Sequence, residues 1–270
     1  MRGLYFFYVI ISLINIISAK GGSLPAGQAG ASGRKSQKLM TQESKKRIVF
    51  TLLFASLALV ALQIPLSQLV GSNSKFTLFD SFGPLATGFI GTLPGVVAVF
   101  AAEVANFFIH GAKVLDAGTI IRFFPMLFAA WYFGSKNKFV GLAVPLLAIL
   151  AFNLNPVGRS AWYFSLYWLI PVACYFIKER FLFARALGAT FTAHAVGGAA
   201  WVWAFSLPKA VWVGLIPVVA MERAMFAVGI MVTYVAINNI LAVLDNKQVI
   251  YAKTLINPKF VWKRLLMNHI

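Results

Sequence analysis

Apolar blocks run through this sequence almost end to end: Ile48 to Val70, Ser81 to Leu93, Pro94 to His110, Ala117 to Gly134, Phe139 to Asn155, Ala161 to Ile177, Ala186 to Phe205 and Ala210 to Leu244, with short polar turns between them. A helix needs about 20 apolar residues to cross a bilayer, and about 17 at the short end, so most blocks qualify. Ser81 to Leu93 is too short. It predicts a re-entrant or broken helix, whose exposed backbone groups have to be covered by protein or face a watery cavity. Charged residues are 11% of the chain and hydrophobic ones 60%, whereas about a quarter charged is usual in a soluble domain. The expected fold is all-α, a polytopic helical membrane bundle of six to eight transmembrane segments that includes short broken or re-entrant helices.

The net charge of +17 would point to nucleic acid in a soluble chain. Its distribution points instead to orientation in a membrane, and no nucleic-acid partner is expected. Basic residues cluster at Lys45, Lys46 and Arg47, at Lys136 and Lys138, at Lys178, Arg180 and Arg185, and in the tail, while the alternate turns carry only Lys75, Lys113, Arg159 and Lys209. By the positive-inside rule the rich clusters are cytoplasmic. The expectation is a multi-pass cell-membrane protein with an even number of spans and both ends in the cytoplasm. The one cysteine, Cys174, lies in an apolar block. It reads as a small buried hydrophobe and excludes a disulfide framework.

Three regions are expected. Residues 1–39 combine an apolar stretch, Gly3 to Ala19, with the flexible run "GGSLPAGQAGASGRKSQK". Met40 opens "MTQESKKR", a plausible basic start, so 1–39 reads either as dispensable or upstream of the true initiator, or as an extra helix. Residues 40–244 form the bundle. Residues 245–270 form a basic tail with interleaved aromatics, suited to an anionic membrane surface, to a cytoplasmic partner, or to plain solvation.

Polar side chains inside the apolar blocks single out a candidate site. Glu103, Asn106 and His110 are spaced i, i+3, i+7, one stripe of one helix. An ionised group at the bilayer centre costs at least a few kcal/mol, so such a stripe faces the bundle interior or a cavity. Arg122, His194 with Trp201 on the same face, and the adjacent Glu222 and Arg223 complete the set. The acids and arginines invite pairing, in a combination that one sequence leaves open, and each pair could equally lock helices together. Thr87, Gly91 and Gly95 recur every four residues, which permits close helix contact, and Gly95 after Pro94 is the expected break. "LPGVVAVFAAE" and "LIPVVAMERAMFAVG" each place a proline ahead of a glutamate-bearing helix, a faint echo of paired broken helices.

No HExxH, GxSxG or GxxxxGK motif occurs, so hydrolytic and nucleotide-driven chemistry lack their usual parts. No cofactor is expected, and uphill movement of a solute would need partner subunits or an ion gradient.

"FTLFDSFGPLATGFIGTLPGVVAVFAAEVANFFIHG" followed by "DAGTIIRFFPMLFAAWYFG" resembles the substrate-binding membrane subunit, the S component, of energy-coupling factor transporters. The likeness covers about Lys45 to Leu244. It implies six core helices, capture of a vitamin-like micronutrient near the external side, and docking to a transmembrane coupling subunit driven by cytoplasmic ATPases. Where the family often shows AxxxA in its first helix, this chain has Ala55, Ala58 and Ala61.

The function expected is that of a non-enzymatic solute-binding transport subunit embedded in membrane lipid. Its pocket would be lined by Glu103, Asn106, His110, Arg122, His194, Trp201, Glu222 and Arg223 and closed by the loop from Gly71 to Asp80. The alternatives are a membrane enzyme acting on a lipid or isoprenoid, with Glu103 or His110 as general base, and a structural scaffold subunit.

Overall fold

A computed structural model describes residues 51, 54–68, 75–109, 116–247 and 253–262. The expectations for residues 1–39, for Lys45 to Arg47, for the loop residues 71–74, for His110 and for the tail past 262 fall outside these residues. The described chain is all-α apart from a two-stranded antiparallel ribbon. Its helices are α1 (54–62), α2 (Ala86–Ile90), α3 (Thr92–Ile109), α4 (Ala117–Arg122), α5 (Pro125–Gly134), α6 (Val144–Leu154), α7 (Pro156–Ser160), α8 (Leu169–Tyr175), α9 (Leu182–Phe205) and α10 (Lys209–Asn246). A π turn, Phe139–Ala143, leads into α6, and 3-10 turns fill Leu78–Ser81, Gly83–Leu85 and Trp162–Trp168.

The first apolar block does not stay helical to Val70. α1 ends ahead of Pro65, and Pro65–Gln68 pairs with Lys75–Thr77 as strands β1 and β2; proline is costly inside a helix and is tolerated on an edge strand. The short block at 81–93 is interrupted as its length requires, but the expected break at Gly95 is misplaced. The chain turns at Gly91, whose φ of 94° suits glycine. Pro94 falls in the first turn of α3, where its missing N–H costs nothing. Gly95 is inside the helix and serves contact: a Cβ there would lie 2.5 Å from the Thr87 Cα. The Thr87 hydroxyl lies 2.8 Å from the carbonyls of both Pro84 and Ala130 and shares its one proton between them, which ties α2 to α5. The echo between Pro94 and Pro217 also fails, since α10 runs unbroken through Pro217.

α9 is the central helix and packs against α5, α6, α8 and α10. Small residues make this possible: a Cβ on Gly188 would strike the Tyr132 ring at 2.4 Å, and one on Gly198 the Trp168 ring at 2.7 Å. Tyr132 is fixed further by donating to the Pro171 carbonyl at 2.8 Å. Two of the basic residues read as orientation signals have local work as well. Lys178 Nζ donates to the carbonyls of Tyr132 (2.7 Å) and Ser135 (2.6 Å), and Arg185 Nε to that of Phe133. These cations satisfy carbonyls left over at the C-terminal end of α5 and complement its dipole. Burial, with Arg185 as a secondary cause, lowers the Lys178 ammonium to a pKa of about 8.

The described part of the tail folds back on the bundle. Asn238 Oδ1 accepts from the Asn257 amide at 2.8 Å, Asn239 binds the Phe260 carbonyl and the Trp262 amide, and the Phe260 ring packs 5.4 Å from that of Tyr234. Among the described residues two helices, α3 and α10, are long and apolar enough to cross a membrane. Large apolar side chains also face outward in number, including Leu93, Phe108 and Ile109 of α3, Leu147 and Leu150 of α6, and Met221 of α10.

Candidate functional site

A cavity of about 160 Å³ lies where two core clusters meet. The first cluster gathers α1 to α3 and α5 against α10; the second is an aromatic nest of Phe152, Phe164, Trp168 and Trp212. A second, more open cavity of about 520 Å³ adjoins it, and Leu62, Thr77, Glu103 and Arg122 line both. Glu103 and Arg122 thus stand between an inner chamber and an outer vestibule. In the vestibule are Lys75, Thr119 and Asn106.

Each charged wall residue is placed by local structure. α3 carries Glu103 and Asn106 on one stripe, and Asn106 Oδ1 accepts from Gln63 Nε2 at 2.8 Å, tying α3 to the end of α1. Asp116 caps α4 by accepting from the Thr119 amide at 2.7 Å, and that bond holds its carboxyl below the usual range. α4 then presents Arg122 in its last turn, while a Cβ on Gly118 would lie 3.5 Å from Trp201, so α4 lies against the aromatic wall.

α10 supplies Glu222 and Arg223, which pair with each other: Arg223 Nη2 is 3.5 Å from Glu222 Oε2. Glu222 Oε1 accepts from Ser67 Oγ of β1 at 2.6 Å, so the ribbon is fastened over the cavity. The Arg223 guanidinium, whose side chain is 3% exposed, lies 4.5 Å from the Phe76 ring centre and 4.7 Å from that of Phe226. Two rings lie against it, but among the described residues Nε and Nη2 find no hydrogen-bond acceptor, and Glu103 Oε2 finds no donor. Buried polar atoms without partners are rare in folded proteins and costly.

On α9, His194 Nδ1 accepts from Trp168 Nε1 at 2.9 Å. An indole N–H can only donate, so Nδ1 carries no proton and the imidazole is the neutral Nε2–H tautomer. His194 and Trp201, two turns apart along α9, line the inner chamber with Phe164 and Trp212.

Of the residues singled out by sequence, Glu103, Arg122, His194, Trp201, Glu222 and Arg223 line this one chamber. Asn106 faces the vestibule and serves a helix contact, and His110 is outside the described residues. Sequence reasoning missed Asp80, which lines the chamber and interacts electrostatically with both Arg223 and Arg122. Its signal was available: it is the lone acid in "FTLFDSFGP", directly before an apolar block. Among the described residues no group of three His, Cys, Asp or Glu side chains is close enough to hold a metal. No protein-family model, no curated protein and no solved structure matches the chain.

Proposed function

We propose that this protein is a multi-pass membrane protein that binds a small solute in the inner chamber, acting as the substrate-binding subunit of a micronutrient uptake system energised by partner subunits. The observation that carries this reading is the chamber itself, a space between helices whose buried charged atoms lack hydrogen-bond partners among the described residues. A cavity near 150 Å³ admits a single aromatic ring, so about 160 Å³ suits a compact solute. The outward-facing apolar side chains on α3, α6 and α10 support immersion in lipid, since contiguous exposed apolar surface marks a membrane or protein contact. Two helices reach spanning length singly; the shorter apolar segments 139–154 and 162–177 would cross as parts of the bundle, with Lys136 and Lys178 at the cytoplasmic edge. The resemblance to the S components supplies the coupling subunit and the cytoplasmic ATPases as candidate partners.

Native mass spectrometry of the full chain in mild detergent tests the reading. The expected result is a small molecule bound to wild type and lost from Glu103→Ala, with folding retained by circular dichroism. Wild type carrying no small molecule when prepared from native membranes would count against solute binding. A molecule retained in Glu103→Ala would place binding elsewhere.

A further inference from the structure

We infer that the solute is amphoteric: a compact molecule of about one ring that brings an anionic, carboxylate-like group to Arg223 and a protonated nitrogen to Glu103. This rests on the solute-binding reading and names the chemistry of the same chamber.

The anionic end follows from Arg223. Nε–H and Nη2–H lie on the same edge of a guanidinium and form the parallel donor pair that fits the two oxygens of a carboxylate. In this chain that edge is the unsatisfied part. The Phe76 and Phe226 rings lie against the group, and Glu222 Oε2 is its ion-pair partner at a long 3.5 Å from Nη2. Arg223 is therefore oriented by the protein and completed by something else.

The cationic end follows from Glu103. Its Oε2 is buried and receives no hydrogen bond among the described residues. Asp80, Glu103 and Glu222 line the chamber together with Arg122 and Arg223. A simple anion would satisfy Arg223 and leave Glu103 Oε2 without a donor. A ligand with both groups answers both vacancies, and the Trp201, Trp212 and Phe164 rings provide the apolar wall for its body.

The test uses four probes of one ring size on the full chain in detergent: 4-(aminomethyl)benzoate, 4-methylbenzoate, 4-methylbenzylammonium and p-xylene, with binding read by quenching of tryptophan fluorescence. The zwitterion is expected to bind at least about tenfold more tightly than either singly charged probe, the ratio that one charge-assisted hydrogen bond supplies. Arg223→Gln is expected to erase its advantage over the ammonium probe, and Glu103→Gln its advantage over the benzoate. Equal binding of the zwitterion and either singly charged probe to wild type overturns the inference, as does failure of all four, and these results need no variant to fold. A co-purifying molecule that lacks one of the two groups overturns it while leaving solute binding intact. Absence of both a co-purifying molecule and probe binding overturns the two together.

Discussion

Replacing Gly95 by alanine probes whether the chamber depends on the close approach of α2 and α3. The new Cβ would sit 2.5 Å from the Cα and N of Thr87, both backbone atoms that cannot swing aside, so the two helices must part by about 1 Å to restore ordinary contact. Overpacking of this kind costs roughly 1–3 kcal/mol. Moving Thr87 also strains its 2.8 Å bond to the Ala130 carbonyl, at up to about 1 kcal/mol more. The sum, roughly 1–4 kcal/mol, corresponds to a fall in Tm of roughly 2–15 °C for a chain of this size. The assay is thermal unfolding in detergent followed by tryptophan fluorescence, with Gly214→Ala alongside. Among the described residues nothing lies within 4 Å of the Cβ position at Gly214, so that change should raise stability by roughly 0.5–1 kcal/mol through helix propensity and chain entropy. A Gly95→Ala protein melting within a degree of wild type would refute the packing argument. Because Glu103 sits about two turns further along α3, the same displacement is expected to weaken solute binding as well.

Lys178 gives a pH dependence whose sign is fixed. Its folded pKa of about 8 lies below the ordinary 10.5, so between these values the unfolded chain holds more protons and stability rises with pH; well below pH 8 both states hold the proton and the dependence ends. Wild type should therefore gain Tm relative to Lys178→Met between pH 7.5 and 10, and a relative loss across that range would contradict the assignment. For the α10 pair, Arg223→Met strands a buried Glu222 and should cost about 3–5 kcal/mol, whereas adding Glu222→Leu should recover most of it. The recovery is incomplete by about 1 kcal/mol because Ser67 Oγ loses its acceptor. Denaturant unfolding of the three proteins measures this, and a double variant as unstable as the single one would show that ion pairing is not the source of the cost.

The site was more legible than the path of the backbone, for a physical reason. Charged and histidine side chains in an apolar helix have few places to go, so their cost alone sends Glu103, Arg122, His194, Glu222 and Arg223 inward, and the bundle has limited interior to receive them. Helix breaks carry no such forcing term. Pro94 and Pro217 look alike in sequence, yet one opens a helix and the other lies inside α10; which applies depends on whether neighbouring elements accommodate the missing hydrogen bond. The ribbon at Pro65–Gln68 was hidden because its residues read as the end of an apolar block, and its pairing with Lys75–Thr77 is a tertiary fact. Lys178 and Arg185 were read as topology signals by composition. Their second role, closing the carbonyls of α5, needs the fold to bring them there.

The polar wall of the chamber works against the stability of the bundle that holds it. Replacing a buried ion pair by apolar residues of similar volume is often neutral or stabilising by about 1–4 kcal/mol, and small-residue contacts such as Gly95 on Thr87 and Gly188 on Tyr132 already supply close packing without charges. If Glu222 and Arg223 served only to join structure, both of their hydrogen-bonding edges would be expected to end on protein. Glu222 does so, through Ser67, while Arg223 has two rings against it and, among the described residues, no hydrogen-bond acceptor on the edge that recognises carboxylates. A scaffold gains nothing from that division of labour. A binding site does, because a donor pair held in advance by two rings loses little freedom when the ligand arrives.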